Sequence, residues 1–231
     1  METKDGDGII LIDKPTGISS FDVIRVLRKK IGVHKMGHAG TLDPMATGLL
    51  LVGVGEGTKK LKDLIGLPKT YEMGILLGRK TDTGDMEGKV IEEGGTTNVE
   101  RRDIEKVLKS LEGEVELPVP VYSALKVKGV PMYKLARRGE DVEPKKRKMK
   151  IFSLKFLGVE RCGGDPESSK RLEREGESRF VCVKAEMDCG SGTYARSVAV
   201  EVGKRLGVPA TLNSLRRTKV GDFNVEDAEK L

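Results

Sequence analysis

The sequence predicts an α+β protein: a mixed, largely antiparallel sheet flanked by helices. Three observations lead there. Short apolar runs of strand length recur along the chain, at 8–13, 49–54, 69–78, 151–160, 180–189 and 212–220. Helical periodicity appears between some of them, over 21–32, 99–113 and 193–207. The two element types follow one another without regular βαβ alternation, which argues against a doubly wound parallel sheet. With 231 residues, 37% of them hydrophobic, the chain has material for one domain of ordinary to large size with a real core.

In order, Gly8-Ile9-Ile10-Leu11-Ile12-Asp13 reads as a buried strand, ended by Lys14-Pro15-Thr16-Gly17. Ser19 and Ser20 offer N-caps for a helix with Val23, Ile24, Val26, Leu27 and Ile31 at helical spacing, and Gly32 stops it. Then comes Gly37-His38-Ala39-Gly40-Thr41-Leu42-Asp43-Pro44-Met45-Ala46-Thr47-Gly48, backed by the apolar run Leu49 to Val54. Glycines at 37, 40 and 48 allow backbone conformations closed to other residues, Pro44 fixes its own φ, and Asp43 sits in the middle of the loop. Asp43 has two readings on its residues alone: a catalytic carboxylate at a sheet edge, or the cap of an Asp-Pro turn.

The glycine-rich segment 53–60 is neither GxxxxGK[ST] nor GxGxxG, so it reads as a strand-to-helix turn, with a helix from about Thr58 to Ile65. After the strand 69–78, residues 81–88 form a polar turn leading to a return strand in KVIEEG. Asp82, Asp85 and Glu87 lack the spacing of a calcium loop, and a solvated hairpin loop is expected. Asn98 can cap the helix over 99–113.

Residues 117–150 change texture, with four prolines and many cations. Lys126, Lys128, Lys134, Arg137 and Arg138 interleave with Tyr122 and Tyr133, and Lys145-Lys146-Arg147-Lys148 closes the stretch. Such a pattern suits gripping an RNA backbone and stacking on bases; it also suits a solvated loop. A polar, charged connection spans 161–179. The helix after Gly190-Ser191-Gly192-Thr193 carries Arg196 in its first turn, against the helix dipole, so an anionic partner would make sense of it. An ordinary surface arginine is the other reading. The segment 212–220 is a strand with three positive charges, and a short helix is expected from Val225 to Leu231.

Lysine and arginine exceed aspartate and glutamate, 42 to 36, a modest basic excess compatible with a polyanionic partner. Three cysteines without CxxC spacing and only two histidines argue against a disulfide scaffold and against a zinc site. No apolar run approaches the ~20 residues that span a bilayer, and the start of the chain shows no apolar signal region, so a cytoplasmic location is expected.

Several strings, in one order, resemble the TruB family of tRNA pseudouridine synthases. They are DKPTG at 13–17, GHAGTLDPMATG at 37–48, KTYEMG at 69–74, RKTDTGDMEG at 79–88, PVYSALKVKGVPMYKLAR at 120–137, SGTYARS at 191–197 and LRR at 215–217. The resemblance covers nearly the whole chain. It implies the pseudouridine synthase fold over 1–231 as a single catalytic domain, with an RNA-gripping insertion at about 117–150. It implies isomerisation of uridine 55 in the tRNA T-loop, by base flipping and without metal or organic cofactor. The partner would be the T-arm of tRNA, with no protein partner required and a monomer expected.

The same resemblance assigns roles. Asp43 looks like the catalytic aspartate, attacking sugar or base. Tyr71 looks like the tyrosine against the target base, proposed to assist deprotonation. His38 resembles the residue that holds the T-loop open, and Arg196 the arginine that pairs with the aspartate. Tyr194 and Leu215 resemble residues that pack the substrate site, and Lys14 a structural support. Bacterial members usually carry a further C-terminal RNA-binding module, for which this sequence has no room after 215–217; weaker grip on tRNA is expected. Two alternatives stay open: a guide-RNA-dependent enzyme of ribosomal RNA, and a tRNA-folding chaperone.

Overall fold

The computed structural model describes residues 7–96, 99–123, 125–127, 129–132, 135, 138, 145–160 and 180–231. Asn98, Lys128, Tyr133, Lys134, Arg137 and the connection 161–179 lie outside them. The chain divides into two compact units: Met1–Glu72 with Met187–Ser191 and Ser214–Leu231, and Met73–Glu186 with Gly192–Asn213.

In the first unit the sheet is built on β3 (Thr47–Val54). It pairs antiparallel with β1 (Gly8–Lys14) along its whole length, from Gly8 opposite Val54 to Lys14 opposite Gly48. Its other edge is shared. β2 (Met36–His38) pairs antiparallel at the C-terminal end, with His38 opposite Val52. β12 (Ala210–Val220) runs parallel at the N-terminal end, with Arg216 opposite Thr47 and Arg217 opposite Gly48. β3 is buried on both faces, which is why its sequence is continuously apolar rather than alternating. Leu50, Val52 and Val54 meet Val23, Ile24 and Leu27 of helix α1 (Ser20–Ile31). Leu49 and Leu51 face Ala39, Val220 and Val225, with Leu61, Leu64 and Leu67 packed behind.

Helix α1 follows its sequence signals. Ser19 is the N-cap, and it forms a reciprocal capping box with Asp22, a device worth about 1 kcal/mol. Gly32 ends the helix. Val26 and Ile31, expected on the core face, are exposed; three apolar positions suffice to fill the contact.

The second unit holds β7 (Gly113–Pro118) antiparallel to β10 (Lys146–Glu160), with Lys146 opposite Pro118 and Ile151 opposite Gly113. β5 (Arg79–Thr81) and β6 (Val90–Glu93) make a hairpin. Helix α3 (Arg101–Ser110) buries Ile104 and Leu108 and packs on β10 and on helix α4 (Ala195–Leu206). Three strands contribute to both units: β4 (Lys69–Leu77), β11 (Val181–Cys189) and β12.

Four expectations need correction. The chain after Val225 is a 3₁₀ turn, Val225–Asp227, followed by β14 (Glu229–Lys230), which pairs parallel with β1. A free N–H and C=O row on β1 recruits the last residues as an edge strand instead of letting them coil into a helix. The basic run 145–148 is not a loop: Lys146, Arg147 and Lys148 lie in β10, where β7 supplies the partner strand. The segment 55–60 is a 3₁₀ turn, and helix α2 occupies only Leu61–Ile65. Helix α3 starts at Arg101 with Glu100 at its N-cap.

Candidate active site

The loop between β2 and β3 carries Asp43, and the first unit braces it from two sides. On one side stands the segment 14–20. Lys14 is fully buried and its Nζ donates to the carbonyls of Pro15 (2.9 Å), Ile18 (2.6 Å) and Pro44 (3.3 Å). The Gly17 N–H donates to Pro44 O at 2.8 Å, and the Thr16 hydroxyl to Met45 O at 3.2 Å. The Ser20 hydroxyl both accepts from Leu42 N–H (2.8 Å) and donates to Leu42 O (3.1 Å). Leu42 and Ala46 are buried on either side of a half-buried Asp43. The carboxylate is thus borne by backbone that cannot drift, the arrangement that positional catalysis requires.

On the other side stands β12. Gly48 has φ +100°, and a Cβ there would lie 2.3 Å from the Arg217 carbonyl oxygen, so only glycine lets β12 and β3 close. Leu215, two residues earlier, is buried, and its carbonyl accepts from the Thr47 hydroxyl at 3.5 Å. Asp13 is held in a bidentate pair by Arg216, at 3.0 and 2.9 Å.

Tyr71, on β4, is 8% exposed. Burial pushes its hydroxyl above the ordinary phenol range; the Arg217 cation works against that rise, and the Asp43 carboxylate adds to it. His38 is held low by burial first and by the Arg217 cation second, against a bond to the Gly40 backbone, so it is neutral at pH 7. Its Nδ1 is buried without a hydrogen-bond partner among the described residues.

Tyr194 and Arg196 lie in the second unit, at the head of α4. Tyr194 is the extended N-cap residue, its N–H directed at Met149 Sδ at 3.5 Å. Arg196 is buried; it donates to Thr83 O (3.2 Å) and Tyr122 O (2.9 Å) and lies 3.5 Å from the Asp85 carboxylate. The anion that its place against the helix dipole called for is present in Asp85. Asp85 is itself buried and takes bonds from the Thr83 hydroxyl (2.6 Å) and Glu87 N–H (3.1 Å). The segment 81–88 is therefore not the solvated loop expected: Thr81 and Asp85 are both interior, and Asp85 bridges to Leu212.

Two cations of the first unit were not singled out by sequence. Lys69 Nζ donates to Ile65 O and Leu67 O, both at 2.6 Å, and burial with the nearby Arg217 charge lowers it to about 8. Arg217 is 1% exposed. Lys69 opens the KTYEMG string and Arg217 closes LRR, a signal that was present; what pattern could not show is that these two cations point inward.

Comparison with solved structures gives the fold. A crystal structure of a Cbf5-Nop10-Gar1 complex superposes with a TM-score of 0.70 at 27% identity, over 98% of this chain and 53% of that one. The archaeal box H/ACA sRNP Nop10-Cbf5 complex gives 0.65 at 24%, over 97% and 51%. The present chain thus spans about half the length of those. Residues 28–195 match the sequence profile of the TruB family pseudouridylate synthase (N terminal domain). Fold and family match together define a pseudouridylate synthase domain. Proteins named tRNA pseudouridine synthase B are 42% identical in Mycobacterium sp. (strain KMS), over 98% of this chain and 71% of that protein, and 40% identical in Endomicrobium trichonymphae, over 96% and 88%. This chain belongs to the TruB family.

Proposed function

We propose that the chain isomerises uridine in the T-loop of tRNA, at position 55, to pseudouridine. The observation that carries this reading is Asp43 on a loop braced by the Lys14 ammonium and the Ser20 hydroxyl. Isomerisation breaks the C1′–N1 bond, turns the base, forms C1′–C5 and releases the C5 proton. A carboxylate meets the positive charge that develops at C1′, or adds covalently to sugar or base. The reaction is redox-neutral, so no external electron carrier enters the balance.

The remaining groups fit a flipped base. Tyr71 is neutral at pH 7 and offers its ring as a face for the extruded uracil. A neutral His38 can pair with bases of the opened loop without adding charge. Tyr194, Arg196 and Leu215 are assigned to substrate binding on the family resemblance. Lys145, Lys146, Arg147, Lys148 and Lys150 are exposed, which supports an RNA-gripping role for the segment around 117–150. The whole chain would act as one catalytic domain, as a monomer without a protein partner, in the cytoplasm. Among the described residues no helix is long and apolar enough to cross a membrane.

The test is tritium release from a T-arm RNA carrying 5-tritiated uridine, for the native chain and for Asp43→Asn. Release by the native chain alone, without guide RNA, is the expected result. Release only when a guide RNA is added would move the substrate to ribosomal RNA. RNA binding without release from either protein would leave a chaperone.

A further inference from the structure

The role of Arg217 goes beyond its place in a strand. Its side chain is enclosed, yet it points along the sheet into the loop that bears Asp43. Nε donates to Leu49 O at 2.7 Å, one residue past the loop's end. The two terminal nitrogens reach the loop's beginning: Nη2 lies 3.3 Å from Gly40 O and Nη1 3.5 Å from Thr41 O. The main chain of the same residue pairs with Gly48, at the contact that excludes any Cβ. One residue therefore grips both ends of the segment 40–49. The same guanidinium acts by its charge on both Tyr71 and His38.

We propose that Arg217 is a positioning residue for the isomerisation: by fastening Gly40, Thr41 and Leu49 to one planar fork, it sets the loop of Asp43 in fixed register with Tyr71. The inference rests on the reading of Asp43 and Tyr71 as the reacting pair. Geometry selects arginine for the task. A guanidinium presents five donors in a fixed plane, enough for three carbonyls at once. A lysine ammonium is a point donor and cannot span from Leu49 to Gly40. Where a carboxylate must stand within a fraction of an ångström of its place, loss of such a fork is felt in the rate of chemistry.

The test compares Arg217→Lys and Arg217→Met with the native chain, well below each protein's melting temperature. Single-turnover tritium release and T-arm RNA affinity are read separately. The expected result is a fall of about 100-fold in the single-turnover rate of Arg217→Lys, with RNA affinity within about twofold of native. Tyr71→Phe, damaging by itself, should add little in the Arg217→Lys background, because both changes break one register. A folded Arg217→Lys with a native rate overturns the proposal. So does a rate that falls only in step with RNA affinity, or fully additive effects with Tyr71→Phe. If neither Arg217 variant folds, Arg217 is a residue of the core and the proposal also fails. Absence of release by the native chain would instead sink the functional reading itself.

Discussion

Two loops of this molecule look alike in sequence and differ in use. Thr41-Leu42-Asp43-Pro44-Met45-Ala46-Thr47-Gly48 and Thr81-Asp82-Thr83-Gly84-Asp85-Met86-Glu87-Gly88 share threonine, aspartate, methionine and glycine, and each meets one buried arginine. In the second, Arg196 lies against a carboxylate, and Asp85 is occupied by the Thr83 hydroxyl, the Glu87 amide and that arginine. In the first, Arg217 holds carbonyls, so the loop is fixed by its backbone, and Asp43 stays half-buried. An aspartate whose lone pairs are spent on its own loop is a fastener. The other loop is fastened through its main chain, which sets the place of the aspartate it carries.

Removing each carboxylate separates the two loops most sharply. Asp43→Asn should lower tritium release from T-arm RNA by about 10³-fold or more. Its stability in urea should stay within about 1 kcal/mol of native. Asp85→Ala should do the opposite in kind. It leaves Arg196 buried beside an empty place, and a broken buried pair of this sort destabilises by about 3 kcal/mol, read as a lower urea midpoint. If Asp85→Ala unfolded no sooner than Asp43→Asn, the distinction between fastener and reagent would be lost.

Lys14→Met tests the bracing of the first loop from its other side. The variant keeps the chain length of the stem and removes the donor to Pro15, Ile18 and Pro44 carbonyls. Loss of this buried ammonium from part-buried carbonyls should cost about 2 kcal/mol. The rate of tritium release should fall with it, since Pro44 adjoins Asp43. A variant as stable as the native chain would show that water replaces the ammonium at no penalty.

Much of this was legible in the sequence, and the reasons are local. α1 was visible because Ser19, Asp22 and Gly32 mark its ends and Val23, Ile24 and Leu27 its face. Asp43, His38 and Tyr71 stood out because they sit in strings specific to one family. What escaped was set by partners distant in sequence. Val225–Leu231 has a helical look, but the open edge of β1 decides its fate. The basic run at 145–148 becomes strand because β7 lies beside it. Arg217 and Lys69 were not singled out because one-dimensional patterning does not show which cations turn inward, whereas here main-chain carbonyls receive them.

Lys69 yields an effect confined to alkaline pH, with a clear sign. Its ammonium is held at about 8 in the folded protein, against 10.5 in the unfolded chain, because burial and Arg217 both disfavour the charge. Below pH 8 both states carry the proton, and the full penalty for the buried cation is present. Between about 8 and 10.5 the unfolded chain binds more protons than the folded one, so stability rises with pH, by at most about 1.4 kcal/mol per pH unit. The neutral amine can still donate to Ile65 O and Leu67 O, so the anchor survives the titration. Urea unfolding of the native chain and of Lys69→Met from pH 7 to 10.5 isolates this contribution, since other titrating groups are common to both. The difference in unfolding free energy, native minus variant, should grow with pH across that window. A flat difference would mean that Lys69 keeps its ordinary proton affinity, and that the field of Arg217 is spent on the loop carbonyls and Tyr71 before it reaches its neighbour.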